Sequence, residues 1–322
     1  REKMKYPLFI LVCMFVYGAS SCIRYDRSNC AAALSVSFTY VDYTRGKIAI
    51  RDGDIKNAVL YIYDDDDRFV RTWTIDAPVF NKEYMTDFTL DRGTYSFVVW
   101  FNPGEPYTVS GECDNHDGKA GRRMESCLRL SLPDDKCIRG DLPLLFHGTL
   151  CDTYLEGSTK ERIAIPMILN NNVINLTVKG LPYSDNTYLF SVSDSNGHYT
   201  FENGFSDCEE FDYAATINFR PYYGTNEQAT NTLNASLMVL KLAAGRKPVI
   251  ELSDQTLGKV LYPSYEGQTT DLVRLILKAD PSNDFDGNDT YDILFDFATD
   301  MTATIYVNGW RVKESENEIY PD

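Results

Sequence analysis

The chain has 322 residues, with 47 Asp and Glu against 31 Lys and Arg, a net charge of −16. Such an acidic surface argues against nucleic acid as a partner and against electrostatic attachment to anionic lipid. Hydrophobic residues make up 43% and include 22 Tyr and 17 Phe. That is enough for a real core and, with abundant Val, Ile and Thr, is weighted toward strands.

At the N-terminus, Lys3 and Lys5 form a short basic region, and Tyr6 to Tyr17 is an apolar run. Gly18, Ala19, Ser20 and Ser21 then stand immediately before Cys22. The run is too short for a comfortable membrane span, and its anatomy predicts a signal peptide over residues 1–21. A cysteine at this place is where bacterial lipoproteins are acylated. Cys22 is therefore the expected lipid attachment residue, and residues 22–33 the lipidated N-terminal segment. Several acyl chains on one residue anchor far better than one. The bland alternative is an ordinary secretory signal beside a chance cysteine. No other stretch is long and apolar enough to span a bilayer.

Cys13 leaves with the signal. Six cysteines remain beyond Cys22: Cys30, Cys113, Cys127, Cys137, Cys151 and Cys208. An even number in an exported chain points to disulfides. No pair has C-x-x-C spacing, and His116, His147 and His198 follow no ligand-like pattern, so neither a metal nor another cofactor is expected. Four of the six fall between residues 113 and 151, in a stretch read as a loop needing staples.

Alternation dominates the rest. Leu34, Val36, Phe38 and Tyr40 alternate with Ser35, Ser37 and Thr39, the pattern of a half-buried strand. Ala58–Tyr63 and Phe69–Ile75 read as a hairpin around the turn Asp64–Asp67. Tyr84–Leu90 alternates again, and after Gly93 the run Tyr95–Trp100 is apolar enough to be central. Leu142–Leu150 is the next apolar segment. Residues 152–162 are polar, and a domain boundary is placed there, dividing 34–158 from 159–322. Ile163–Leu169, Val173–Val178, Tyr188–Val192, Leu237–Leu242, Val249–Leu252, Leu272–Leu277, Tyr291–Phe297 and Thr302–Val307 all read as strands. Asn196-Gly197, Asp286-Gly287 and Asn308-Gly309 supply turn signals. Evenly spaced short strands predict an all-β chain of two sandwiches.

Candidate chemistry is sparse. Asp64–Asp67 reads as a solvated hairpin turn before it reads as a calcium site. Asn283–Asp289 looks more like a calcium loop, but it lacks the closing glutamate of an EF-hand and lies between strands. His147, at the end of an apolar run, has no nucleophile near it in sequence and reads as structural. No G-x-S-x-G, H-E-x-x-H or phosphate-cradling loop is present, so no catalytic residue is expected and the chain is read as no enzyme.

Several segments, in order and spacing, resemble the fimbrillin-associated anchor lipoproteins of Bacteroidales, the base subunits of type V pili. They are Asp26-x-x-x-Cys30, Leu34–Tyr40, Leu60-Tyr61-Ile62-Tyr63-Asp64 with Phe69-Val70, Leu90-x-x-Gly93-x-Tyr95-x-Phe97-Val98-Val99-Trp100, Leu144-Leu145-Phe146-His147-Gly148, and Ile305–Trp310. The resemblance implies two transthyretin-like β-sandwich domains in tandem and a lipid anchor in the outer membrane. It also implies a role in holding the fimbrial shaft pilin and limiting shaft length. One departure stands out: Ile168-Leu169-Asn170-Asn171 lacks the arginine that often follows this apolar strand. Shaft pilins of the superfamily lose their first strand to an arginine-directed protease. Arg45-Gly46 is the matching bond here, and an anchor is expected to keep it uncut. The rival readings are a polymerising shaft or tip pilin, and a surface glycan-binding lipoprotein stacking sugars on Trp73, Trp100, Trp310 and the many Tyr.

Overall fold

The computed structural model describes residues 32–40, 48, 50, 51, 53–80, 85–110, 121–157, 160–219, 232–264 and 268–312. The first strands are β1 (Ala32–Tyr40), β2 (Asn57–Tyr63), β3 (Phe69–Asp76), β4 (Thr86–Leu90) and β5 (Gly93–Phe101). Then come β6 (Tyr107–Ser110), β7 (Cys127–Leu130), β8 (Cys137–Ile138), β9 (Phe146–Leu155) and β10 (Glu161–Leu169). The second series is β11 (Asn171–Lys179), β12 (Thr187–Asp194), β13 (His198–Thr200), β14 (Phe211–Asn218), β15 (Leu233–Leu240), β16 (Val249–Asp254) and β17 (Lys259–Tyr262). Helix α1 (Leu272–Ala279) precedes β18 (Thr290–Phe297), β19 (Ala303–Val307) and β20 (Trp310–Arg311).

The described strands form four sheets. Seven join in the order β3-β2-β5-β9-β10-β1-β4. Two five-stranded sheets follow, β15-β11-β18-β19-β20 and β17-β16-β12-β14-β8, and a small sheet is β13-β7-β6. The all-β expectation therefore holds. Each alternating run buries one face. Leu34, Val36 and Phe38 of β1 point inward at 0–1% exposure, and Phe97, Val99 and Phe101 of β5 meet them in one core. The opposite face of the same sheet contributes Tyr61, Tyr63, Val98 and Trp100 to a second core, shared with the sheets of the second strand series.

Two strand assignments change. Leu272–Leu277 is helical because its apolar residues fall at helical spacing. Leu272, Val273, Leu275 and Ile276 are buried together, and the Asp271 side chain caps the helix by accepting from the Arg274 amide. Residues 152–162 do not separate two sheets. Those that are described, 152–157 and 160–162, belong to or flank β9 and β10 of one sheet, and Glu161 accepts from the Glu156 amide at 2.7 Å. The first sheet therefore runs on to Leu169, past the boundary expected at residue 158. Gly148 is required where β9 meets β10: a Cβ there would collide with Met167 Sδ and stand 2.7 Å from the Pro166 carbonyl. The Gly93-x-Tyr95 signal is a local packing device. The Tyr95 ring lies over Gly93, within 3.3 Å of where its Cβ would sit, and Tyr95 Oη donates to the Asp91 carbonyl.

Trp100 is fully buried and packs against the His147, Tyr199 and Phe201 rings, with centroids 4.5–6.3 Å away. Trp100→Ala is expected to cost about 3–5 kcal/mol by leaving a cavity where both strand series meet. Denaturant unfolding at pH 7 measures it, and a midpoint equal to that of the unaltered chain would contradict this packing.

Candidate functional site

β1 is the element with most bearing on function. It is the first described strand after Cys22, and it lies inside a sheet, not at an edge. It pairs in parallel with β10, from Leu34↔Glu161 to Tyr40↔Met167, and antiparallel with β4, from Ala32↔Leu90 to Val36↔Thr86. Ser35 Oγ donates to Asp87 at 2.6 Å, and Lys160 reaches the other oxygen of that carboxylate at 2.6 Å. These contacts hold the Asp87 carboxyl below its ordinary range, the Lys160 hydrogen bond contributing most. At the far end of the strand, Tyr40 Oη donates to Asp289 at 2.9 Å, tying β1 to the start of β18.

The second strand series is joined to this sheet through Asn170, Asn171 and Asn172, exposed 0%, 0% and 2%. Asn170 and Asn203 exchange amide hydrogen bonds, and Asn170 takes up backbone groups of Leu145 and Lys241. Asn171 Oδ1 accepts from the Leu145 amide at 2.6 Å. Asn172 accepts from the Leu242 amide at 2.7 Å and donates to the Asn288 carbonyl at 3.1 Å. The missing arginine noted in the sequence is thus replaced by a run of buried, partnered amides. Their only outward sign was three polar residues where the apolar pattern changes strand.

Cys22, Cys30, Cys113 and Arg45 lie outside the described residues. Cys127, Cys137, Cys151 and Cys208 stand as free thiols. They sit on different elements: Cys127 in β7, Cys137 in β8, Cys151 in β9 and Cys208 ahead of β14. Their sulfurs face other groups. Cys127 contacts Ser110 Oγ at 3.1 Å, and Cys151 accepts from Arg123 at 3.0 Å. Burial pushes the Cys137 and Cys208 thiols up. The expected disulfides therefore find no support among these four residues.

The two acidic stretches are engaged by the chain itself. Asp64 accepts from the amides of Asp66 and Arg68, and Asp67 pairs with Arg123 at 2.8 Å. In the loop 283–289, Asp284 accepts from the Asp286 amide and Asp286 pairs with Lys241 at 2.6 Å. Among the described residues no three His, Cys, Asp or Glu side chains converge as metal ligands. No described helix is long and apolar enough to cross a membrane. Trp73 is half-buried, Trp100 buried and Trp310 exposed, so the three tryptophans do not form one stacking platform. A cavity of about 670 Å³ lies where Asp54, Lys56, Asn57, Asn102 and Asp141–Leu144 approach Met238.

A family model described as "Fimbrillin-A associated anchor proteins Mfa1 and Mfa2" matches residues 27–316. The chain belongs to the fimbrillin-A associated anchor protein family. It is accordingly a fimbrial subunit of the cell surface, a component that works by contact with other fimbrial subunits. Solved structures share the fold of this family member. The fimbrial anchor protein Mfa2 of Porphyromonas gingivalis is 17% identical with a TM-score of 0.68, covering 89% of this chain and 100% of its own. A Bacteroides thetaiotaomicron structure described as a candidate polysaccharide-binding protein is 19% identical with a TM-score of 0.69, covering 88% and 99%. A Bacteroides ovatus candidate adhesin is 16% identical with a TM-score of 0.63, covering 89% and 97%. No curated protein matches.

His147 illustrates how the family member uses its titratable groups. It is 2% exposed, its Nε2 lies 2.9 Å from the Phe201 carbonyl, and burial holds its pKa down at about 4. The unfolded chain takes up a proton near pH 6.5 that the folded chain refuses until about pH 4. The neutral ring's contribution is fully present above pH 6.5 and is lost as pH falls through this window. By pH 4.5 the loss amounts to about 2–3 kcal/mol. Unfolding free energies of the unaltered chain and His147→Gln, compared at pH 7 and 4.5, are expected to fall less for the variant. Equal falls would show that His147 does not titrate in this way.

Proposed function

We propose that this chain is the non-enzymatic base subunit of its fimbrium, held to the outer membrane by acyl chains on Cys22, where it retains the shaft pilin and limits shaft length. The observation that carries this reading is the placement of β1. A subunit that receives a neighbour's strand must give up a strand of its own and leave an open groove. Here the first strand is paired on both sides, and Leu34, Val36 and Phe38 fill the core beneath it. Kept in place, it leaves no acceptor groove at that position. The polymer then ends at this subunit, and the chain remains continuous from its core to Cys22. The signal-like segment before Cys22 and the anchor family support the same reading.

The polymerising-pilin alternative needs cleavage at Arg45-Gly46. That cut would part Cys22 from everything after residue 45, and loss of the severed strand would empty the β1 position. Mass spectrometry of the subunit recovered with native fimbriae separates the two. An acylated N-terminus at Cys22 is expected, and a predominant N-terminus at Gly46 would transfer the chain to the pilins. In parallel, Cys22→Ala is expected to release the protein from the membrane fraction and abolish palmitate labelling. A variant that still labels and still partitions with membranes would overturn the lipid assignment.

A further inference from the structure

The seven-stranded sheet ends in β3 on one side and β4 on the other, and neither carries a further strand among the described residues. A linear sheet would expose both as rows of unpaired amides and carbonyls, a template for another chain. This sheet curls until its two edges face one another across a seam. Trp73 of β3 and Phe88 of β4 stack with ring centroids 5.3 Å apart and planes 29° apart. The Arg71 guanidinium lies 5.4 Å from the Trp73 centroid and 5.9 Å from that of Phe88. From there it donates to the Thr89 carbonyl of β4. Its Nε is buried without a hydrogen-bond partner, while the residue as a whole is half-buried.

We propose that Arg71 is a latch that denies strand addition to this sheet. The guanidinium suits the task. It is charged at every working pH, flat enough to lie over both rings, and carries several donors, one of which occupies an outward carbonyl of β4. Arg71 and Trp73 both lie on β3 at alternate positions, so one face of an edge strand supplies the whole closure from its side. With the seam closed, β3 and β4 behave as neighbours joined by side chains, and no incoming strand can reach the backbone of either. Beyond Phe69, whose amide is already taken by the Gly121 carbonyl, opening it exposes Val70–Asp76 and Thr86–Leu90 as adjacent edges, and the strand expected to pair with them is that of a second copy of this chain. The inference concerns these two edges alone and does not depend on the lipid at Cys22 or on the role at the fimbrial base.

The test compares the full chain with Arg71→Ala by sedimentation over a range of concentrations and by amide hydrogen exchange. The variant is expected to keep the β-sheet circular dichroism of the unaltered chain and to form concentration-dependent dimers and larger species. Its β3 and β4 amides are expected to exchange about tenfold faster when the chains are dilute and monomeric. A variant that stays monomeric at all concentrations, with unchanged exchange in β3 and β4, would overturn the proposal. If Arg71→Ala does not fold, Arg71→Lys is read the same way, since it keeps the charge over the rings but loses the planar fork. Self-association of that variant supports the latch, and a monomer with unchanged exchange refutes it.

Discussion

Three consecutive buried asparagines hold the two strand series of this molecule together, and much else depends on them. A buried amide left without partners costs about 1–3 kcal/mol, so three in a row are tolerable only when each finds its bonds. Asn170, Asn171 and Asn172 find them in segments far apart in sequence: Leu145, Asn203, Lys241, Leu242 and Asn288. A side-chain amide both donates and accepts: Asn172 ties Leu242 and Asn288 at once, Asn171 holds the segment at Leu145, and Asn170 exchanges two bonds with Asn203. Apolar side chains here would fill the volume but leave the Leu145 and Leu242 amides and the Asn288 carbonyl without these partners. The first sheet and the sheets beyond it are therefore set against one another by directional bonds, with the large aromatic core of Trp100, Tyr199, Tyr213 and Phe201 packed behind them.

The first strand gains its security from this junction. β10 runs parallel to β1 and leads straight into Asn170, so the strand that holds β1 on one side is itself pinned at its end. Tyr40 adds a second tie, from the end of β1 to Asp289. That residue's carbonyl accepts from the Val173 amide beside Asn172. A first strand that is to stay in place under load needs to be coupled to the body by more than one ladder. Here it has two ladders and a side-chain tie to the opposite series.

The sequence carried the strands well and their partners poorly. β1, β2, β3, β5, β11, β12, β16, β18 and β19 follow from alternation or from apolar runs, because each buries one face or both. The stretch Leu272–Leu277 was misread because an apolar run of that length satisfies either period. Only Asp271 ahead of it, as a cap, told for the helix. β10 was placed with the wrong sheet because its parallel partner lies more than a hundred residues earlier, and no local signal announces such a pairing. β8, β13 and β20 are too short to show a period. The asparagine junction was legible only as an anomaly, since polar residues beside an apolar strand ordinarily mean a loop. The latch at Arg71 was invisible for a similar reason: alternation puts Arg71 and Trp73 on the same face of β3, but nothing local says that β4 curls round to meet them.

The acidity of the chain has a structural use that its composition did not suggest. Carboxylates of Asp64, Asp135, Asp280, Asp284 and Asp300 each accept from the backbone amide two residues on, and so close turns. Such a carboxylate turns one oxygen toward its own chain and so fixes the turn. Asp67, Asp194 and Asp286 are each paired with a basic residue instead. In the Asp-rich loops 64–67 and 283–289 these carboxylates serve the turns themselves. This arrangement also suits a sheet protein at a cell surface. Many short strands need many tight reversals, and an Asp at these five shapes the backbone there. The sheet edges between them are left to shorter means: two-residue strands at β8 and β20, a bulge beside β17, and side chains laid across the seam between β3 and β4.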